Sequence, residues 1–315
     1  MTLLSDINKL QNYRPMKKYL SFIFLMIFAY QNFAQQDPQF SQYMFNTIEI
    51  NPAYAGTKEG FIMTGMARMQ WVGIQDAPKT QVLSLHSPVL KNMGLGFTAK
   101  NDNAGALNQT MFYWDYSYHI PIGFDSKLSF GLKAGFHILN LDLTKYEAYH
   151  TDDPYIYNLN NHFVPNFGFG IFFYNYDYYI GISAPRLLEQ NFSPSAAGQA
   201  LLVNHYFVMG GYVLDLDEVV KVKPSFILKY TPDAPPTFDF SANIYYERWG
   251  FGVSYRHEDA VVGIFQLFLT QQLTFGYSYD YTLSDLRHES SGSHEFMFRY
   301  DFSKRTARCR PAKYF

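Results

Sequence analysis

The chain has 315 residues with 25 Lys and Arg against 27 Asp and Glu, and this net charge of −2 argues against a nucleic-acid-binding protein. Only 17% of the residues are charged whereas 19% are aromatic, and soluble globular proteins usually carry roughly 25% charged residues. The single cysteine, Cys309, excludes an internal disulfide framework and a cysteine-rich metal site. After the first 34 residues there is no apolar run of the about 20 residues that a membrane helix needs. Low charge, many aromatic residues and short apolar runs together indicate a sheet with one face in lipid.

The first 34 residues have the layout of a secretory signal peptide behind a short extension. Met16-Lys17-Lys18 supplies the basic start, Tyr19–Tyr30 the apolar core, and Ala34 a small residue at the cleavage position before Gln35. An uncleaved anchor is the less favoured alternative, because the apolar core is short for a membrane span. Met1 and Met16 both remain candidate start residues. A secreted chain with one cysteine fits a bacterial envelope better than a disulfide-stabilised extracellular domain.

From residue 61 onward, apolar and polar residues alternate, which predicts β-strands whose two faces differ. In the last such segment one parity is aromatic: Phe296, Phe298, Tyr300 and Phe302. The other parity is mostly polar or charged: Glu295, Met297, Arg299 and Asp301. No stretch competes as a long amphipathic helix. The alternation predicts fourteen strands, at residues 61–71, 81–89, 93–101, 109–121, 127–142, 162–174, 178–184, 204–214, 219–230, 237–247, 250–257, 261–270, 273–282 and 292–302.

A soluble all-β protein and a transmembrane barrel would both show this alternation, and three features favour the barrel. The apolar parity is crowded with Phe and Tyr, as in a lipid-facing band, and the opposite parity is rich in Gly, Ser, Thr and charges, as in a polar lumen. Connections also alternate in length, and those after even-numbered strands are tight: Asn175–Asp177, Asp215–Glu218 and Gln271-Gln272. Those after odd-numbered strands are often long (143–161, 185–203, 231–236 and 283–291), with Glu258-Asp259 as a short exception. Short periplasmic turns and long external loops are typical of outer-membrane barrels.

The predicted fold is therefore an all-β, transmembrane, antiparallel up-and-down β-barrel of about fourteen strands with both termini periplasmic. The predicted regions are an extension and signal peptide (1–34), a periplasmic N-terminal segment or plug (35–60), the barrel (61–303) and a basic periplasmic tail (304–315). Because Arg or Lys on the lipid face costs about 2–4 kcal/mol at mid-membrane, polar and charged residues of the strands should face the lumen: Arg68, Gln70, Lys133, Lys223, Arg256, Glu295 and Arg299. Aromatic residues of the other parity should face lipid: Phe130, Phe226, Tyr277 and Phe298.

Residues that could perform catalysis or bind a metal do not form a motif. His257-Glu258-Asp259 falls in a predicted tight turn, and Asp152-Asp153 lacks a Gly-centred calcium loop. His86-Ser87 places its two side chains on opposite faces of a strand. No histidine pair has ligand spacing, and neither a nucleophile elbow nor a phosphate-binding Gly-rich loop occurs. The sequence therefore predicts no enzyme, no cofactor and no metal site.

Two stretches, before and at the end of the first predicted strand, are more specific than alternation requires. The first contains Asp37, Pro38, Phe40, Tyr43, Phe45, Asn46, Asn51, Pro52, Tyr54 and Gly56, and the second contains Arg68, Gln70, Trp71, Gly73 and Pro78. With His294-Glu295 before the last aromatic strand and a basic tail, they resemble the PorP/SprF family of outer-membrane proteins from the type IX secretion and gliding systems of Bacteroidetes. The resemblance covers the whole mature chain, and departs from the family pattern at Thr47-Ile48-Glu49 and in the residues before Met16.

This resemblance implies a non-enzymatic barrel that works with the periplasmic ring of type IX secretion, or in the export and surface attachment of adhesin-type cargo. The implied partners are outer-membrane lipid, ring components and secreted cargo. The main alternative is a FadL-like transporter of small amphiphilic ligands, which is also a barrel with an N-terminal plug. A soluble sandwich is the third possibility.

Residues 35–56 contain more aromatic side chains than a free terminus needs. We therefore expect this segment to fold against the barrel mouth or into the lumen, with Phe40, Tyr43, Phe45 and Tyr54 as buried anchors. Asn46 and Asn51 should then form hydrogen bonds with backbone groups of the irregular chain.

The C-terminal tail has five basic residues and no acidic residue: Lys304, Arg305, Arg308, Arg310 and Lys313. Two interpretations of this tail remain open. It is either a solvated end or an arm that docks on an acidic surface of the secretion apparatus, over the short range that salt permits. Cys309 lies within it.

Overall fold

Apolar and polar side chains alternate along the strands of this chain, and the strands form one closed sheet. The computed structural model describes residues 39–143, 158–191, 201–232 and 234–302, and within them fourteen antiparallel strands form a barrel. The strands are β1 (Ile62–Met69), β2 (Lys79–Leu90), β3 (Met93–Ala104), β4 (Leu107–Ile122), β5 (Ser126–Leu141), β6 (Leu159–Tyr174), β7 (Tyr178–Arg186), β8 (His205–Tyr212), β9 (Val220–Tyr230), β10 (Thr237–Tyr246), β11 (Trp249–Arg256), β12 (Ala260–Phe268), β13 (Leu273–Thr282) and β14 (Ser293–Asp301). The predicted all-β, antiparallel up-and-down barrel is confirmed, and each predicted strand coincides with one strand of the barrel. The periplasmic position of both termini stays a prediction.

Each strand pairs with its neighbours in sequence, and the first and last strands close the ring. β1 pairs with β14 from Ile62↔Asp301 to Met69↔His294. Three shorter strands stand outside this count: Leu214–Asp215 pairs with β9, while Gln190–Asn191 and Leu201–Leu202 form a separate two-stranded sheet. The pairing is up-and-down throughout, because every strand of the ring lies beside the strand that follows it in the chain.

The two ends of the barrel differ in the length of their connections. The turn end, where β1 begins and β14 ends, carries connections 91–92, 123–125, 175–177, 213–219, 247–248 and 269–272. The loop end carries connections 70–78, 105–106, 142–158, 187–204, 231–236, 257–259 and 283–292. The predicted alternation of short and long connections is present, and Gly105-Ala106 is a second short connection at the loop end.

Asx-type hydrogen bonds stabilise the turn-end connections. Asn175 Oδ1 accepts from the backbone N–H groups of Asp177 and Tyr178, both at 2.8 Å. In the next turn, the backbone N–H groups of Val220 and Val219 donate to Asp217 at 2.6 and 2.7 Å. These two donors hold the pKa of the Asp217 carboxyl below its usual value.

The strands present a polar face to the lumen and an aromatic face to the outside. The luminal side chains of Arg68, Lys133, Lys223, Arg256 and Glu295 are buried, as predicted, and Arg299 is half-buried on the same parity. On the outer face, Phe130 and Phe298 are exposed, and Phe226 and Tyr277 are half-exposed. Gln70 lies just beyond β1, which ends at Met69; it is half-buried, and its N–H donates to Pro78 O at 2.9 Å. The luminal position of its side chain stays a prediction.

Aromatic residues on neighbouring strands form contacts across the outer face. Phe112 lies 5.5 Å from Phe136, and Phe136 lies 5.0 Å from Phe163, measured between ring centroids. Such cross-strand pairs stabilise the sheet while keeping the wall apolar toward lipid. The helices among the described residues are single 3₁₀ turns, and none of them has the length or apolarity to cross a membrane.

Candidate functional site

The most distinctive feature of the molecule is a segment of its own chain inside the barrel. Residues 39–56, called the plug here, form three short 3₁₀ helices at Tyr43–Phe45, Thr47–Glu49 and Pro52–Tyr54. Fourteen of its eighteen residues are buried, and Gln39, Glu49, Ile50 and Gly56 are half-buried. Helices this short do not satisfy their own backbone groups, so the wall must supply partners.

The predicted aromatic anchors of the plug are buried in the lumen. Phe40, Tyr43, Phe45 and Tyr54 are each no more than 6% exposed. Tyr43 OH lies 3.2 Å from Ser241 Oγ on β10. Phe45 packs under the fully buried Lys223, whose Nζ lies 5.2 Å from the ring centroid, a cation–π contact. The plug is therefore held by the wall through ring packing as well as hydrogen bonds.

An ionic cluster, called the latch here, holds the first part of the plug at the loop end. It consists of Ser41 from the plug with Arg68, Arg256, Asp280 and Glu295 from β1, β11, β13 and β14. Arg68 Nη2 donates to Asp280 Oδ2 at 2.7 Å, and Arg68 Nη1 donates to Glu295 Oε2 at 3.1 Å. All four wall residues are buried, so each charge depends on the others for compensation.

Ser41 is the centre of the latch. Its hydroxyl donates to the Asp280 carboxylate and accepts from Arg68 Nη1 at 2.9 Å and from Arg256 Nη2 at 3.0 Å. The two oxygens of Glu295 accept the backbone N–H groups of Ser41 and Gln42 at 2.8 and 2.9 Å. The plug backbone thus completes the coordination of a wall carboxylate.

Asn51 fixes the second part of the plug. Its Oδ1 accepts from Ala53 N at 2.9 Å as the cap of the third 3₁₀ helix, and its Nδ2 donates to Ile171 O on β6 at 3.0 Å. The predicted role of Asn51 as a backbone partner is confirmed. The same role is wrong for Asn46, whose Nδ2 donates to the Ser84 hydroxyl at 3.1 Å.

The plug leaves the lumen at the turn end. Ala55 O accepts from Ser117 Oγ at 2.6 Å and lies 2.9 Å from His119 Nε2, both on β4. Gly56 N then donates to His86 Nδ1 at 3.4 Å. Because Ser41 lies at the loop end and Gly56 at the turn end, the plug runs through the lumen from one end to the other.

Luminal glycines make room for this close approach. A Cβ at Gly131 of β5 would lie 2.1 Å from Ala53 N and 2.4 Å from Pro52 C. A Cβ at Gly94 of β3 would lie 2.3 Å from Ala55 O, and one at Gly170 of β6 would lie 2.1 Å from Asn51 Oδ1. The sequence predicts these glycines only as small residues of the luminal parity, because alternation does not reveal which of them contact the plug.

A cavity of about 70 Å³, called the loop-end cavity, lies between the plug and the wall. Its lining includes four basic residues, Lys100, Lys133, Arg186 and Lys229, and four aromatic residues, Phe40, Tyr43, Tyr113 and Phe207. Glu49 of the plug reaches into it, and its Oε1 lies 2.5 Å from Lys100 Nζ. Arg186 and Lys229 were not singled out from the sequence, since each is one of many luminal basic residues.

The second specific stretch forms contacts at the junction between the first and last strands. Trp71 N donates to Ser293 Oγ at 3.1 Å, and Val72 N donates to Gly292 O at 2.8 Å. Trp71 and Gly73 both have positive φ (46° and 105°), a conformation that glycine adopts easily and tryptophan rarely. This loop therefore ties the connection before β14 to the end of β1.

The three stretches that carry the family resemblance meet in the latch. The N-terminal stretch supplies Ser41, the second supplies Arg68, and the ending supplies Glu295. His294, on the opposite face of β14, accepts or donates at Nδ1 with Tyr277 OH at 2.8 Å. Asp37, Pro38 and the tail residues Lys304, Arg305, Arg308, Arg310 and Lys313 lie outside the described residues, as do the signal region and Asp152-Asp153.

No group of three or more His, Cys, Asp or Glu residues suited to a metal ion occurs within the described ranges. Arg256 and Asp259, around the turn at His257-Glu258, form an ion pair at 3.1 Å. This turn is thus occupied by structural contacts of its own.

A model of the family described as type IX secretion system membrane protein PorP/SprF matches residues 32–300. The chain belongs to the PorP/SprF family. The resemblance inferred from the three stretches is thereby confirmed, and this PorP/SprF barrel is an outer-membrane protein and a type IX secretion membrane component.

Solved structures similar to this PorP/SprF protein are outer-membrane barrels. The CymD monoaromatic hydrocarbon channel aligns with a TM-score of 0.52 and 13% identity, over 86% of this chain and 95% of that one. The Ralstonia pickettii toluene transporter TbuX aligns with a TM-score of 0.51 and 11% identity, over 83% and 93%. At these identities the likeness establishes the fold alone. A search of curated proteins gave no match.

Proposed function

We propose that this barrel is a non-enzymatic component of type IX secretion that supports the export or surface attachment of adhesin-type cargo and docks to the periplasmic secretion ring. The observation that carries the proposal is the filled lumen. The plug forms hydrogen bonds with strands on several sides of the ring, including β2, β4, β6, β10 and β14. A lumen occupied in this way offers its two ends to partners, and a polypeptide does not pass through it.

In this proposal the two ends of the barrel contact different partners. The turn end faces the periplasm, where the tail at 304–315 docks on an acidic surface of the ring, and the loop end faces outward toward cargo. Electrostatic docking of this kind acts within about 8 Å at physiological salt. It therefore sets the rate and register of association more than its strength.

Deletion and complementation test this function. A deletion strain is complemented with the full chain, with a chain ending after Ser303, and with a full-length chain whose five basic tail residues are replaced by Gln. We expect the deletion to abolish surface display of adhesins and the full chain to restore it. The truncated and Gln chains should assemble as heat-modifiable barrels but co-purify poorly with the ring.

The outcomes separate the parts of the proposal. Normal adhesin display in the deletion strain contradicts the secretion function. Normal ring co-purification by both altered chains contradicts the docking role of the tail alone. Loss with the truncation but not with the Gln chain assigns docking to the length of the tail and contradicts its electrostatic basis.

A second candidate function, a FadL-like transporter of small amphiphilic ligands, is favoured by the basic and aromatic lining of the loop-end cavity. The barrels of a toluene transporter and a monoaromatic hydrocarbon channel share the fold. Under this function, the deletion strain loses ligand uptake and keeps adhesin display, which is the opposite of the result expected above.

A further inference from the structure

The aromatic outer face of the barrel is interrupted over the first four strands. On β11 to β14, strand register places aromatic outward residues side by side in one row: Phe251, Phe265, Tyr277 and Phe296. On β1 to β4 the same row continues with small or uncharged polar residues: Ala67, Gln81, Asn101 and Thr110. Amide and hydroxyl groups thus replace aromatic rings on a wall that faces lipid.

The interruption is an open groove of about 590 Å³, called the outer-wall groove here, between Phe298 of β14 and Phe112 of β4. Gly65 and Ala99 lie in the same register row as these two rings and line the groove with small side chains. A Cβ at Gly65 would meet nothing within 4 Å, so the space outside β1 is open. Its shape suits an apolar chain that lies on small residues between two rings.

The polarity of the groove changes from the loop end toward the middle of the wall. Lys79, Gln81 and Leu83 are exposed, successive outward residues of β2 in that direction. Within the part of the chain that the structure describes, the side chains of Lys79 and Gln81 form no hydrogen bond or ion pair. Beside them, Asn101 Nδ2 donates to Thr110 Oγ1 at 3.0 Å. The order is a cation, then uncharged polar groups, then an apolar surface.

This order matches the charged head, acyl linkage and acyl chain of a lipid. A lysine at the membrane surface attracts anionic headgroups. An amide on the lipid-facing wall is costly unless it finds a hydrogen-bond partner, and the carbonyl of an acyl linkage is an acceptor at that depth. A purely apolar occupant would leave both Lys79 and Gln81 without partners.

We propose that the outer-wall groove binds a phosphate-bearing acyl lipid of the membrane leaflet at the loop end. The phosphate lies at Lys79, and the Gln81 amide donates to a carbonyl of the acyl linkage. An acyl chain lies along Gly65 and Ala99. This lipid site is independent of the secretion role. Because the groove extends across the junction where β1 pairs with β14, a bound lipid contacts both strands and stabilises the closed barrel by mass action.

The test uses the full chain, purified in detergent, and two lipids that differ in the phosphate: dioleoylphosphatidic acid and dioleoylglycerol. Native mass spectrometry measures the binding of each lipid as its concentration is raised. We expect one equivalent of phosphatidic acid to bind saturably and dioleoylglycerol to bind about fivefold or more weakly, because one lysine at the membrane surface attracts an anionic headgroup.

Two pairs of variants locate the site. Lys79→Gln should weaken phosphatidic acid binding about fivefold, whereas Lys91→Gln, at an exposed lysine just beyond the other end of β2, should leave it unchanged. Gly65→Leu should fill the groove and abolish saturable binding. Gly263→Leu is its matched control, because Gly263 lies on the outer face of β12 and a Cβ there also meets nothing within 4 Å.

Equal binding of the two lipids to the unaltered chain would overturn the proposal, and this comparison holds even if Gly65→Leu fails to fold. Equal losses in Gly65→Leu and Gly263→Leu, or in Lys79→Gln and Lys91→Gln, would also overturn it. A dimer that Gly65→Leu separates, without saturable lipid binding, would assign the groove to a second copy of the chain instead.

Discussion

Arg68 illustrates how one side chain can join three separate parts of the chain. Its guanidinium contacts Ser41 of the plug, Asp280 of β13 and Glu295 of β14 within 3.1 Å. The planar fork of arginine suits this arrangement, because its donors point in fixed directions toward several acceptors at once. A lysine at this position would supply the charge but not the geometry.

We predict that Arg68→Met destabilises the barrel by about 3–5 kcal/mol, because removal of one partner leaves buried carboxylates uncompensated. The free energy of unfolding in denaturant, followed through heat-modifiable mobility, measures the change. Lys221→Met serves as the comparison and should cost less than about 1 kcal/mol, since the Lys221–Asp215 pair is partly exposed. Equal losses of unfolding free energy in Arg68→Met and Lys221→Met would show that the latch stabilises the barrel no more than a partly exposed ion pair does.

At the scale of the element, the later part of the plug, from Asn51 to Ala55, fits closely against the wall. The plug backbone approaches β3 and β5, and the Asn51 side chain approaches β6, at positions where the wall has no side chain. Protein interiors tolerate little added volume at such contacts. The fit explains why a segment made of single 3₁₀ turns is held in one position.

We predict that Gly131→Ala displaces the plug and destabilises the protein by about 1–3 kcal/mol, the usual cost of overpacking. The new Cβ would face backbone atoms of Pro52 and Ala53, which cannot rotate away. Gly263→Ala is the matched control, since a Cβ there meets nothing within 4 Å. Limited proteolysis at the plug and the unfolding midpoint report the result, and a neutral Gly131→Ala would refute the close fit.

The elements differ in how far the sequence predicts them. Alternation identified all the strands of the barrel, because the side-chain period of a strand is local and repeats along the chain. The aromatic anchors of the plug were also predictable from their number. The latch was not, because Ser41 and its partner Asp280 are 239 positions apart, and Asp280 looks like any other luminal acid in the alternating pattern. The choice between barrel mouth and lumen likewise needed the contacts with the wall.

For the whole molecule, the path of the plug places the first described residues at the loop end of the barrel. Gln39 lines the loop-end cavity, whereas Gly56 contacts His86 near the turn end of β2. The chain therefore runs once through the lumen from the loop end to the turn end before β1 begins, and β1 then runs back to the loop end.

We predict that Gln39→Cys reacts from the same side of the outer membrane as Glu258→Cys in the 257–259 connection, and that Asp125→Cys in a turn-end connection reacts from the other side. The measurement is labelling of intact cells with a membrane-impermeant maleimide, in a Cys309→Ser background. Lysed cells provide the control for reactivity. Labelling of Gln39→Cys together with Asp125→Cys would contradict the direction of the plug.

The position of the plug also constrains how the barrel can assemble. The plug precedes β1 in the chain, yet the ring around it is complete only when β14 pairs with β1. A segment with four buried aromatic side chains is poorly suited to entering a barrel that has already closed. The later half of the plug contacts β4, β5 and β6, whereas Ser41 contacts side chains of β1, β11, β13 and β14, which lie together only once β14 pairs with β1. The plug can therefore act as a template on the open, growing sheet, and its last contacts form as the seam between the first and last strands is sealed.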